Sequence, residues 1–389
     1  ASVLEAAEAF GSSSMQTFRS IIFPELKPAM LSASVLTFMT SMASFSAPLL
    51  FAGEKRFLTL QIYNAKLNGE MDVAAAVSVF LALVSIVFFI VMKRMGDETS
   101  STRATKGAVR VGTLRLSKAV QRALALVTVS VLFIEMLPII AIGLISFAEE
   151  GSWTWQILPA SFTADNYLRL WQDSSVLQPI ANSVLMSLLT VLGAIIFGVA
   201  LAYIITKGDL RRWHVQADLL ATLPYAIPST VIAISLILAF NKPTVFTAQT
   251  VLVGTFIILP LAYWMKMYPL VVRSTSASLA QVDDALLEAA ESFGAGTVQR
   301  FTRVILPLIR PGIVSGALLV MITALGEFVS SILLYTYANR PISVEILAQM
   351  RMYNFGAAAA YSVFLLVIVL GIVIFSQSLS DIRRTGARL

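Results

Sequence analysis

The chain has 389 residues, 57% hydrophobic and only 13% charged, with a mean hydropathy of +0.82. Soluble domains carry about 25% charged residues, so this composition describes a polytopic membrane protein. Its spans must be helical, because a lipid-exposed backbone satisfies its own hydrogen bonds. With no cysteine and one histidine, His214, the chain cannot build a disulfide framework, a thiolate centre or a His/Cys metal cluster. The basic residues behind its net charge of +6 fall between apolar spans, the pattern of membrane orientation and not of nucleic-acid binding.

The chain opens on a polar stretch, Glu5-Ala6-Ala7-Glu8-Ala9-Phe10-Gly11, that runs on to Pro24 and Pro28. Residues 30–52 form the first expected span and 74–92 the second, separated by a polar segment, 53–73. A Ser-, Thr-, Gly- and basic-rich linker comes next at 93–122 and is expected to be flexible. Six more spans are expected near 123–147, 180–206, 217–240, 249–268, 312–335 and 358–380, for about eight in all. Residues 148–179, with Trp153, Trp155, Tyr167 and Trp171, read as an external loop bearing a surface helix.

The opening stretch recurs. A shift of 283 positions lays Glu5, Ala6, Ala7 and Gly11 on Glu288, Ala289, Ala290 and Gly294, with Phe18 on Phe301 and Ile22 on Ile305. It also lays Pro24 on Pro307, Pro28 on Pro311 and Phe45 on Phe328, a register that runs without a gap for about seventy residues. Each copy predicts a short helix closed by its glycine, then a second helix that Pro307 and Pro311, or their equivalents, redirect into the membrane.

Of the 28 Lys and Arg residues, 21 fall on the side of the two motifs, the linker and the tail, Lys266 among them. The motifs and the C-terminus are therefore expected in the cytoplasm. An even number of spans separates equivalent positions, so the repeat is parallel, unlike the inverted repeats of many secondary transporters.

Two carboxylates fall inside expected spans, Glu327 at 312–335 and Glu135 at 123–147. Such a charge costs about 3 kcal/mol by insertion scales unless it faces protein or water. Each reads either as a residue of a translocation path or as a polar anchor between helices. The repeat places Ser44 at the position of Glu327. His214 reads as a solvated interfacial residue.

The Glu-Ala-Ala, the Gly, and the Pro-terminated Ile21-Ile22-Phe23-Pro24 and Val304-Ile305-Leu306-Pro307 resemble the cytoplasmic signature of binding-protein-dependent ABC importer permeases. The resemblance covers 1–92 and 180–380. It implies an all-α membrane fold of the ABC type I importer permease kind. Residues 1–92 would close a first permease half, 93–122 would link, and 123–389 would form a second half with its elbow at 283–311. It implies that Glu5, Ala6, Ala7, Gly11, Pro24, Glu288, Ala289, Ala290, Gly294 and Pro307 belong to coupling helices that dock on a cytoplasmic ATPase dimer. The other implied partners are an external solute-binding protein and the lipid of a bacterial inner membrane.

No cofactor or metal is expected on the chain itself. Gly107 and Gly112 have the spacing of a phosphate loop, but Thr113 stands where Lys is needed, so ATP would be hydrolysed by a separate subunit. Two halves in one chain resemble the fused subgroup typified by ferric-iron permeases, and less closely those for thiamine and phosphonate. Residues 326–346 also resemble the iron type. The repeat offset further leads to the expectation that about 160 to 170 residues precede Ala1 in the full protein, a naturally half-trimmed chain being the alternative. A membrane enzyme, which needs clustered intramembrane carboxylates or histidines, and a secondary transporter are the competing classes.

Overall fold

The computed structural model describes residue 7 and residues 10–100, 117–153, 156–172, 174–208 and 213–386. Every regular element among them is helical. A turn at Ser14–Thr17 and a π-helical segment, Phe18–Ile22, lead into α1 (Phe23–Met42). Then come α2 (Ser46–Phe51), α3 (Leu58–Leu67), α4 (Met71–Ser100), α5 (Lys118–Ile145), α6 (Asp165–Gln172) and α7 (Ser174–Lys207). The chain continues with α8 (His214–Ala226), α9 (Ser229–Phe240), α10 (Ile258–Leu279) and α11 (Asp284–Ser292). A second π-helical segment, Arg300–Ile305, precedes α12 (Leu306–Leu325), α13 (Val329–Leu334), α14 (Ile342–Arg351) and α15 (Phe355–Gly386).

Among the described residues five helices are long and apolar enough to cross a membrane, or six if α8 and α9 form one broken span. The two other expected spans only overlap α1 and α10, of 20 and 22 residues, and neither helix is among those apolar enough to be counted. The all-α, polytopic expectation therefore holds, but three spans are broken where the sequence read as continuous.

Residues 30–52 split into α1 and α2, and 312–335 split into α12 and α13. Residues 217–240 bend by 97° between α8 and α9, where Pro228 precedes the first residue of α9 and supplies no N–H. The expected span at 249–268 starts later: Ala248 and Gln249 have positive φ, and α10 runs from Ile258 on to Leu279. The linker is also shorter than expected, since α4 continues to Ser100 and α5 begins at Lys118; residues 101–116 lie outside the described residues. Trp153 packs edge-on against Phe355 at 5.6 Å, while Trp155 also lies outside them.

The chain divides into two units, Ala1–Ser44 with Leu83–Ile140, and Phe45–Ala82 with Ala141–Leu389. In the first, Phe38 of α1 stacks on Phe88 of α4 with centroids 4.6 Å apart. Helix α5 carries no buried residue.

In the second unit α10 packs between α7 and α12. Gly312 and Gly316 form a G-x-x-x-G ridge on α12, which lets the α10 backbone approach closely. A Cβ at Gly316 would meet the Cα of Val271 at 2.8 Å, and one at Gly198 of α7 would meet the Cβ of Val271 at 2.9 Å. Small residues on both flanks of Val271 are therefore what sets the spacing of this three-helix core.

Candidate functional site

The two copies of the repeated motif build the same backbone device. Asp283 caps α11, its Oδ1 accepting from the Ala285 N–H at 3.0 Å. Anionic groups here also meet the positive end of the helix dipole. At the other end Gly294 takes φ +80°, the Gly294 N–H donates to Glu291 O at 2.8 Å, and Ala295 N–H donates to Ala290 O at 3.0 Å. This paired closure is a Schellman cap, for which glycine is suited because it carries no Cβ. In the first copy Gly11 takes φ +77° and Ser12 N–H donates to Ala7 O at 3.0 Å.

Beyond the cap the two copies match again, and they correct the expected role of the prolines. Each copy passes through its π-helical segment straight into a long helix, α1 or α12, with no change of direction at Pro307. Proline lacks an N–H and crowds the carbonyl four residues back. The wider π turn relieves this: Phe23 N–H reaches back to Phe18 O and Leu306 N–H to Phe301 O.

The second elbow is held to α7 and to itself. Lys207 Nζ pairs with Asp284 Oδ1 at 2.5 Å and donates to Val282 O at 3.1 Å. Tyr203 packs edge-on against Phe301 at 5.3 Å, and Arg300 bridges to Glu291 at 2.7 Å across the turn. Glu288 and Ala289 are exposed, Ala290 is half-buried, and Gly294 is exposed. In the first elbow Ala7 is buried and Pro24 lies in the first turn of α1; Glu5 and Ala6 fall outside the described residues.

Sequence reasoning missed the apolar tips of these elbows. Phe10 is 88% exposed and Phe293, its repeat equivalent, 92% exposed. Both precede the capping glycine, so the turn itself holds the rings outward. The alignment of Phe10 with Phe293 was the signal available.

At the far ends of α1 and α12 the breaks form a second repeated feature. Glu327 is half-buried, and its Oε1 accepts from the Ser330 N–H at 3.1 Å and the Ser330 hydroxyl at 2.9 Å. It thereby caps the N-terminus of α13. Its backbone carbonyl accepts from the Ser343 hydroxyl at 2.9 Å, and Ser331 pairs with Tyr263 of α10 at 2.6 Å. Ser44 occupies the same place before α2, and the next residues in the two copies, Phe45 and Phe328, touch with ring centroids 6.1 Å apart. Glu135 is exposed on α5.

Lys266 is not near a helix end, where the expected span boundary at 268 put it. It lies in the middle of α10, half-buried, and its ammonium donates to the Ser229 hydroxyl at the start of α9. Arg273, two turns further on, pairs with Asp218 of α8 at 3.1 Å. The late start of α10 makes Lys266 a mid-helix residue, which an apolar run alone did not reveal.

The repeat itself carries one correction. The shift of 283 holds from the elbows through α2 and α13, but α3 to α4 match α14 to α15 at a shift of 284. The loop 335–341 is one residue longer than 52–57. Past that loop Gly69, at φ +79°, matches Tyr353, at φ +58°.

The sequence matches the profile of the family described as binding-protein-dependent transport system inner membrane component over residues 1–97 and 194–382. It is 30% identical over 353 residues to a probable ABC transporter permease protein, y4fN, of Sinorhizobium fredii, covering 89% of this chain and 61% of that one. It is 25% identical over 381 residues to the ferric transport system permease protein FbpB of Actinobacillus pleuropneumoniae, covering 96% and 54%. Over 203 residues it is 27% identical to the molybdate/tungstate transport system permease protein WtpB of Pyrococcus abyssi, covering 52% and 77%. The chain thus spans little more than half the length of the first two relatives. A bacterial alginate ABC transporter, solved in complex with an alginate pentasaccharide-bound periplasmic protein, shares the fold. Its TM-score is 0.56 at 21% identity, covering 69% of this chain and 97% of that one.

Proposed function

Because the chain belongs to the binding-protein-dependent transport system inner membrane component family, we propose that it is the membrane permease subunit of an ATP-driven importer fed by an external solute-binding protein. The observation that carries this reading is the duplicated elbow: the same glycine cap, π turn and exposed phenylalanine, 283 residues apart. Two copies on a parallel repeat offer two like surfaces to two like partners, which fits a pair of ATP-binding subunits. In this reading α11, with Glu288, Ala289 and Ala290, and its counterpart at Glu5, Ala6 and Ala7 dock on those subunits. The long helices α1 and α12 carry their closure toward the far side of the membrane. The elbows, the linker and the C-terminus face the cytoplasm, and ATP is hydrolysed by the partner.

The proposed cargo is ferric iron. It rests on the relative that transports ferric iron and on residues 326–346. There Arg340 bridges at 2.7 Å to Glu345, itself 3% exposed, and lies over the ring of Tyr337 at 5.3 Å. Relatives named for molybdate/tungstate and for spermidine/putrescine keep a second cargo in play within the same machinery.

The test is association. Glu288→Lys with Gly294→Trp, combined with Glu5→Lys and Gly11→Trp, is expected to abolish co-purification of the ATP-binding subunit while the chain remains folded in the membrane. Undiminished association and transport in that variant would sink the proposal.

A further inference from the structure

We infer that Phe45 and Phe328 form an aromatic gate across the translocation path, each just past the C-terminal end of a 20-residue helix. The two residues are equivalent under the repeat, and their rings touch at 6.1 Å. In an arrangement related by a two-fold axis, a residue meets its own equivalent only beside that axis. The contact therefore marks where the pseudo-two-fold axis passes. Given the proposed function, on which this inference rests, the path between the two permease halves runs along that axis, and the ring pair lies across it.

The local structure suits a movable barrier. Each phenylalanine is the residue before the first turn of a six-residue helix, Phe45 before α2 and Phe328 before α13. Each comes directly after the break that ends a 20-residue helix, about 30 Å from where that helix begins. The break frees the short helix to shift without bending the long one. Phe45 is 1% exposed and is backed edge-on by Tyr63 of α3 at 5.4 Å. Phe328 is half-buried and is positioned through its neighbour Glu327, which holds the start of α13. Two apolar rings without a polar atom between them exclude a hydrated ion, whereas separating α2 from α13 opens the same point.

The chain without cysteine makes the test clean. The permease, purified with its ATP-binding subunit and reconstituted in proteoliposomes without ATP, is assayed for passive efflux of trapped potassium ion. Phe45→Ala with Phe328→Ala is expected to raise efflux at least tenfold, a fall of about 1.4 kcal/mol in the barrier. Phe38→Ala, which removes a ring from α1 away from this pair, is expected to leave efflux at the parent level. Parent-level efflux from a double variant that still elutes with its partner overturns the inference.

Should the alanine pair fail to fold, Phe45→Cys with Phe328→Cys, treated with a short bis-methanethiosulfonate, reads the contact directly. Bridging, scored as protection of both thiols from maleimide and reversed by reductant, supports it, and unbridged thiols overturn it. Loss of the ATP-binding subunit from the parent chain would instead overturn the proposed function, so the two failures are distinguishable.

Discussion

Lys266 is a half-buried cation in the middle of α10. A half-buried cation is costly unless it is hydrogen-bonded, and its hydrogen-bonding partner among the described residues is the Ser229 hydroxyl. Lys266→Met is therefore expected to leave thermal stability unchanged or raised. Ser229→Ala is expected to lower it by about 1 to 3 kcal/mol, through the unsatisfied ammonium it leaves, and to have little effect once Lys266 is already Met. A thermal-unfolding double-mutant cycle in detergent reads the coupling; additive effects would show that Ser229 does not hold the ammonium. A second prediction concerns Gly294. At φ +80° a Cβ is strained, and Gly294→Ala is expected to destabilise the elbow by about 1 kcal/mol. The effect would be read as faster amide hydrogen exchange in α11. Residue types at these places were legible in the sequence, but their partners were not. Glu327 read as a charge inside a span, and only the break at Gly326 turns it into a helix cap.

At the scale of elements, the breaks decide the architecture. Apolarity locates a span but does not mark a break, because a buried irregular segment can be satisfied by its own side chains, as Glu327 and Ser330 do here. That is why 30–52, 217–240 and 312–335 each read as one helix. Close packing also comes from single residues that hydropathy ignores. At Gly316 an added side chain meets the α10 backbone, so Gly316→Leu is expected to cost about 1 to 3 kcal/mol. It should lower the yield of monodisperse protein on gel filtration, while Gly371→Leu, where a Cβ has open space, should not. Equal yields for the two would refute close approach at the G-x-x-x-G ridge.

For the whole molecule, the repeat is the property the sequence carried best. The elbows, their glycines and the Phe45 to Phe328 equivalence were readable by alignment, and the same caps and π turns appear in both copies. The one-residue step from 283 to 284 was hidden, because the alanine runs at 74–76 and 357–360 align in either register. The exposed Phe10 and Phe293 give the account a graded test. Alanine at both is expected to weaken the ATP-binding subunit's association at least tenfold, with one substitution intermediate.

The most direct measurement of the central claim is the native mass of the complex extracted from membranes. Two elbows of one design predict two ATP-binding subunits per chain. They also predict that disabling one elbow, by Gly294→Trp with Glu288→Lys, leaves a single subunit bound. A parent complex with no such subunit would contradict the account.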